Sequence, residues 1–118
     1  MAQFPTGSIN IQSDAPNYGF GGVKPDLLKT SHSFSAFENA LLVTRSNATV
    51  AMTDSLPVGT SLVNGWKVTI FNQDSAASIT LTPTLPSTIN ATTSLTIAAG
   101  KSTTVYCDGT NYIATLPI

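Results

Sequence analysis

The chain has 118 residues, enough for one domain with a real core but not for two. Only 9% of them are charged, against roughly 25% in ordinary soluble domains, and five basic against six acidic side chains leave a formal charge of −1. That balance excludes a nucleic-acid stripe, because Lys24, Lys29, Arg45, Lys67 and Lys101 are scattered, and a 42% hydrophobic content excludes a disordered chain.

Residues 1–38 read as an irregular N-terminal arm. Pro5, Pro16 and Pro25, with the run Tyr18-Gly19-Phe20-Gly21-Gly22, break regular structure. The arm also holds Phe4, Phe20, Phe34 and Phe37, and each ring gains roughly 1.5–3 kcal/mol on burial, so the rings are expected to dock on the chain's own core or on a partner. The opening Met1-Ala2-Gln3-Phe4 lacks the basic and apolar regions of a secretory signal, and no apolar run approaches the ~20 residues needed to span a bilayer. A protein made in the cytoplasm, with no membrane contact, is expected. Ser35-Ala36-Phe37-Glu38 fits a capping box, but Ala40–Arg45 reads better as a strand than as a helix.

Residues 39–118 read as a β-sandwich domain. Strands are expected near 40–45, 48–53, 66–72, 78–82, 87–90, 94–98, 102–107 and 111–116, where apolar and polar residues alternate with period two. Trp66, Val68 and Ile70 are the expected core of the third. Asn64-Gly65, Asn72–Ser75, Ala98–Lys101 and Asp108-Gly109 supply turn chemistry, the last a strong hairpin signal. About eight short strands predict an all-β fold: an antiparallel sandwich, jelly-roll-like arrangement or small barrel. The sequons at Asn47 and Asn90 read as polar turns.

Catalytic chemistry finds little support. His32 is the sole histidine and Cys107 the sole cysteine, so neither a disulfide nor a zinc site can form from them, and Cys107 reads as a small buried hydrophobe. No nucleophile elbow and no calcium loop is present. Asp54, Asp74 and Asp108, the carboxylates a glycosidase would need, all fall in turn contexts where Asp caps backbone amides. The expectation is a protein that is not an enzyme and needs no cofactor or metal. Tyr106 and Tyr112 flank the Asp108-Gly109 hairpin and could pair across it as ligand-facing aromatics.

Five segments carry a resemblance: Thr53–Thr60, Asn64–Asn72, Ile79–Pro83, Leu95–Ser102 and Val105–Tyr112. Together, over about residues 47–114, they resemble β-modules of tailed-bacteriophage virion proteins, such as capsid decoration (cement) proteins and tail-fibre segments. The resemblance implies a structural protein of the virion's outer capsid surface, bridging subunits of the major capsid protein as a homo-oligomer, with a trimer preferred to a dimer. A short chain opening on Met1 suits a free-standing decoration protein. The arm's Phe4, Tyr18, Phe20, Phe34 and Phe37 are then the expected capsid or partner contacts. The alternative is a tail-fibre or receptor-binding module that recognises a host glycan.

Overall fold

Residues 21–118, described by a computed structural model, turn their period-two sequences into nine strands. In chain order these are β1 (Val23–Leu27), β2 (Ser31–Ser33), β3 (Leu41–Ser46), β4 (Met52–Leu56), β5 (Lys67–Asn72), β6 (Ile79–Pro83), β7 (Leu95–Ile97), β8 (Ser102–Cys107) and β9 (Tyr112–Ala114). They form a five-stranded sheet ordered β1-β3-β5-β8-β9 and a four-stranded sheet ordered β2-β4-β6-β7. Both are open, and neither closes into a barrel.

The connectivity departs from the all-antiparallel sandwich or jelly-roll-like arrangement expected from the alternation. From β1 to β6 the chain changes sheet at every strand, and next-but-one strands pair in parallel: β1 with β3, β3 with β5, β2 with β4 and β4 with β6. Parallel neighbours require a crossover, commonly a helix. Here each crossover is a strand of the opposite sheet, so the first six strands wind as a flattened coil. Antiparallel pairs β6–β7, β5–β8 and β8–β9 then finish the two sheets.

Inner faces of both sheets share one core. The five-stranded sheet contributes Leu41, Val43, Val68, Ile70, Val105 and Cys107, and the four-stranded sheet contributes Met52, Leu56, Ile79, Leu81 and Ile97. Trp66 and Ile89 enter from connections, and the Trp66 and Tyr112 rings meet edge to face at 6.4 Å. Cys107 is a buried free thiol in β8.

The expected arm boundary at residue 38 does not survive. Val23–Leu27 and Ser31–Ser33 are the edge strands of the two sheets, and Phe34 sits in the core at 4% exposure. Pro25 is accommodated because β1 is an edge. Gly22 accepts from the Leu42 amide and Leu28 donates to the Ser46 carbonyl, so even-numbered residues face β3 and Pro25's missing N–H falls on the open side. Residues 1–20 lie outside the described part of the chain, and with them Phe4, Tyr18 and Phe20.

Two other expected strands are displaced. The strand near 48–53 begins instead at Met52, because Ala48 and Thr49 take positive φ in a turn closed by Val50 N–H on the Asn47 carbonyl. The strand near 87–90 is only a bridge, in which Ile89 and Thr92 exchange both backbone hydrogen bonds around Asn90 and Ala91, both with positive φ. Both sequons are therefore turns. Asn90 is bound in place, its amide donating to the Ala114 carbonyl and accepting from the Ala114 N–H.

Asp74 ties the Asn47 turn to its own. Its two carboxylate oxygens accept N–H bonds from Ala77, Ala76, Asn47 and Thr49, at 2.8–3.1 Å. The Ala77 and Ala76 amides foremost, then that of Asn47, hold the carboxyl far below the usual aspartate range. A folded pKa below the unfolded one contributes stability that is present above about pH 4 and lost as pH falls towards the folded value. Asp74→Ala should therefore lower the urea midpoint at pH 6 and flatten its decline between pH 5 and pH 2. A variant whose midpoint falls with acid as steeply as the parent's would show that Asp74 carries none of the acid sensitivity.

Candidate functional site

Along β3 the inward positions are Leu41, Val43 and Arg45; along β4 they are Met52, Asp54 and Leu56. The same period that builds the core thus drives one cation and one anion into it. Arg45 and Asp54 are both fully buried and meet between the sheets as a bidentate pair, Nε to Oδ2 at 2.8 Å and Nη2 to Oδ1 at 2.7 Å. The guanidinium also donates to the carbonyls of Asp26 (2.7 Å) and Lys29 (3.3 Å). It therefore grips the backbone where β1 leaves one sheet for the other.

A second group of charges lies beside this pair. Asp26 registers with Arg45 across β1–β3, and His32 registers with Asp54 across β2–β4. The His32 ring is buried between two carboxylates: Nδ1 faces Asp26 Oδ2, and Nε2 lies 2.7 Å from Glu38 Oε2. Phe34 meets the imidazole edge-on at 4.5 Å. Lys24 reaches Glu38 at 3.1 Å and Lys29 reaches Asp26 at 2.9 Å. Glu38 closes a 3-10 turn over Ala36–Glu38, and its other oxygen accepts the Ser35 N–H. This is the capping box expected from the sequence, on a single turn.

The charge states follow from these contacts. Burial pushes the imidazole pKa down, but Glu38 and Asp26 outweigh it and raise His32 above the ordinary histidine value. Burial pushes Asp26 up, yet Lys29 and His32 hold its carboxyl below the usual range. Glu38 behaves likewise, with His32, the Ser35 amide and Lys24 outweighing burial. Both ring nitrogens are engaged by carboxylates. Ser33 lies on the opposite side of its strand, with its hydroxyl against that of Ser55 at 3.2 Å, and the Cys107 thiol contacts Gly59 and Gly109 instead. The cluster is built as a fastener between β1, β2 and the 3-10 turn.

Sequence reasoning missed this fastener because it placed His32 in a polar arm and Asp54 in a turn. The available signal was parity: Arg45 follows Leu41 and Val43 at steps of two, and Asp54 lies between Met52 and Leu56 on the same face. Asp74 and Asp108 do sit in turns. Asp108 accepts the Thr110 and Asn111 amides at 2.9 and 2.8 Å, as expected for the hairpin.

The expected contact residues separate. Phe34 belongs to the core, whereas Phe37 is 95% exposed on the 3-10 turn. Tyr106 and Tyr112 do not pair across the hairpin. The register sets Tyr106 opposite Ile113 and Cys107 opposite Tyr112, so the tyrosines point to opposite faces. Tyr112 is buried, with its hydroxyl donating to the Pro57 carbonyl, and burial, then the Cys107 thiol, push its pKa upward. It is not a ligand-facing residue. Tyr112→Phe should cost about 1–2 kcal/mol in urea denaturation by orphaning that carbonyl, and an unchanged midpoint would refute the bond.

Tyr106 remains outside, 42% exposed, between Lys67 on β5 and Ile113 on β9, itself 57% exposed. This row continues towards Phe37, because the Lys67 N–H donates to Asn39 Oδ1 and its carbonyl accepts the Ala40 N–H. The next outward rows carry Thr69 with Thr104, and Phe71 with Ser102. Lys67 is the one charge on the outward positions of β5, β8 and β9.

No protein-family model matches this chain, and no curated protein matches it in sequence. Among the described residues, no helix is long and apolar enough to cross a membrane.

Proposed function

We propose that the chain is a bacteriophage structural protein that decorates the outer surface of the capsid and stabilises it by bridging coat subunits. The observation that carries this reading is where the charges go. Of the ten charged side chains within residues 21–118, Asp26, Glu38, Arg45, Asp54 and Asp74 are buried. What remains outside is a Thr- and Ser-rich β-surface with few charges and an exposed Tyr106–Ile113 row. Such a surface suits close packing on a lattice, where repeated like charges would accumulate. Each bound copy stabilises the assembled shell by mass action.

In this reading Tyr106, Ile113 and Phe37 seat on the coat protein, and Phe4, Tyr18 and Phe20 of residues 1–20 anchor a neighbouring subunit. The protein acts as a homo-oligomer, preferably a trimer, and neither catalysis nor a cofactor is involved. Co-sedimentation with undecorated capsids should give saturable, stoichiometric binding, and Tyr106→Asp with Ile113→Asp should weaken it at least about tenfold with an unchanged melting temperature. Removal of residues 1–20 should also reduce binding. The cut falls before β1, because a cut near 35 would strip an edge strand from each sheet. Full binding by both variants would overturn this assignment of contacts, and no binding by the folded parent would overturn decoration.

The second reading, a tail-fibre or receptor-binding module, is favoured by Tyr106 alone: an exposed ring on a rigid strand beside Lys67 is a platform on which a sugar can stack. It predicts glycan-array hits that Tyr106→Ala abolishes.

A further inference from the structure

The segment Val23–Glu38 is a strap. It supplies the edge strand of one sheet, crosses at residues 28–30, supplies the edge strand of the other, and ends in the turn that carries Glu38. His32 of β2 contacts Asp26 of β1 and Glu38 of the turn simultaneously, and so joins all three parts of the strap, while Lys24 joins β1 to the turn.

We propose that His32 is a pH-sensitive latch: protonated, it clamps β1, β2 and the 3-10 turn together, and on losing its proton it lets the strap loosen from the edges of both sheets. The geometry requires the charge. A neutral imidazole has one N–H and one lone pair, so it can donate to Asp26 or to Glu38 but not to both. The remaining ring nitrogen would then face a carboxylate oxygen, lone pair against lone pair, in a site where the imidazole is only 8% exposed.

The other charges around His32 do not replace it. Lys24 on β1 approaches Glu38, and Lys29 in the crossing approaches Asp26 through a largely exposed side chain. Lys24 shares Glu38 Oε2 with the imidazole, and Lys29 takes Oδ1 of Asp26, the oxygen that His32 does not face. Arg45 on β3 and Asp54 on β4 satisfy each other. With these contacts still in place, the strap loosens in a graded way and the remaining sheets stay folded.

The sign follows by linkage. The folded pKa of His32 is raised, so its stabilisation is complete below the unfolded value of 6.5 and disappears as pH rises through the folded value. Asp26 and Glu38 have lowered values, so their part is present above the unfolded values of 3.8 and 4.5 and fails only in acid. The latch is therefore fully closed at mildly acidic pH and opens on the alkaline side. This inference is independent of the virion reading.

The test is NMR of the full chain between pH 5 and pH 9, following the His32 ring resonances and the exchange of the Lys24, Asp26 and Phe34 amides. The ring should titrate above 6.5 in one step. Across the same step the strap amides should exchange about tenfold faster than intrinsic base catalysis predicts, while Val68 and Val105 amides follow the intrinsic trend. In His32→Gln, which carries no charge and whose two N–H donors sit on one nitrogen, strap protection should be lower at pH 5 and independent of pH. A ring that titrates at or below 6.5 overturns the latch, as does strap protection unchanged across the ring's titration. Because the parent protein alone gives both measurements, the decision stands even where the variant fails to fold.

Discussion

Arg45→Met should destabilise the protein by about 3–5 kcal/mol, a loss read as a large fall in the urea midpoint. The size comes from what is left behind. Asp54 is fully buried, and the guanidinium is the group bound to its two oxygens. Without it a carboxylate must stay charged in the core or take up a proton, and the Asp26 and Lys29 carbonyls lose a donor as well. The double variant Arg45→Met/Asp54→Leu should recover most of that loss, since an apolar pair of similar volume removes the stranded charge. Recovery should be incomplete, because the two strap carbonyls remain without the guanidinium, at about 1–3 kcal/mol for an orphaned acceptor. A single variant within 1 kcal/mol of the parent, or a double variant no better than the single, would refute the buried pair as the join between the sheets.

The same pair shows how far the sequence could be read. Strands β5, β6, β8 and β9 lie within two residues of where the alternation puts them, because on those strands the apolar face and the core face coincide. Pairing direction was not legible. A period of two says which face is buried and says nothing about which strand lies alongside, so the parallel winding of β1 to β6 left no trace in composition. The edge strands were hidden for a local reason: Pro25 and the charges of Lys24, Asp26 and His32 contradict strand propensity, and only Arg45, Glu38 and the neighbouring sheet make those positions tenable. The Tyr106–Tyr112 expectation failed by a single step of register, which is enough to turn a side chain from the surface to the core. Phe37 and Phe34 are three residues apart with the same side chain, and only the 3-10 turn decides that one is buried and the other exposed.

Gly59→Ala should be the most damaging conservative change among the described glycines, at about 3 kcal/mol or more. Gly59 lies where the connection from β4 to β5 meets the β8–β9 hairpin, and a methyl group there would sit 2.5 Å from the Thr110 carbonyl carbon and closer still to its oxygen. The obstacle is backbone and cannot rotate away. It is also fixed from behind: the Gly59 N–H donates to Ser87 Oγ at 2.7 Å, and the Ser87 hydroxyl donates to that same Thr110 carbonyl at 2.6 Å. Making room for the methyl group therefore breaks a hydrogen-bonded joint between two loops. Gly65 and Gly100 are the contrast, with positive φ and open space around them, so alanine there meets only the left-handed penalty of about 1–2 kcal/mol. A thiol probe gives a second reading. The Cys107 Sγ lies 3.5 Å from the Gly59 carbonyl, so Gly59→Ala should speed labelling of the buried thiol in native buffer, whereas Gly100→Ala should leave it slow. Equal urea midpoints for Gly59→Ala and Gly100→Ala, with equally slow labelling, would mean that the joint yields and that the close approach of the two loops is not what requires glycine.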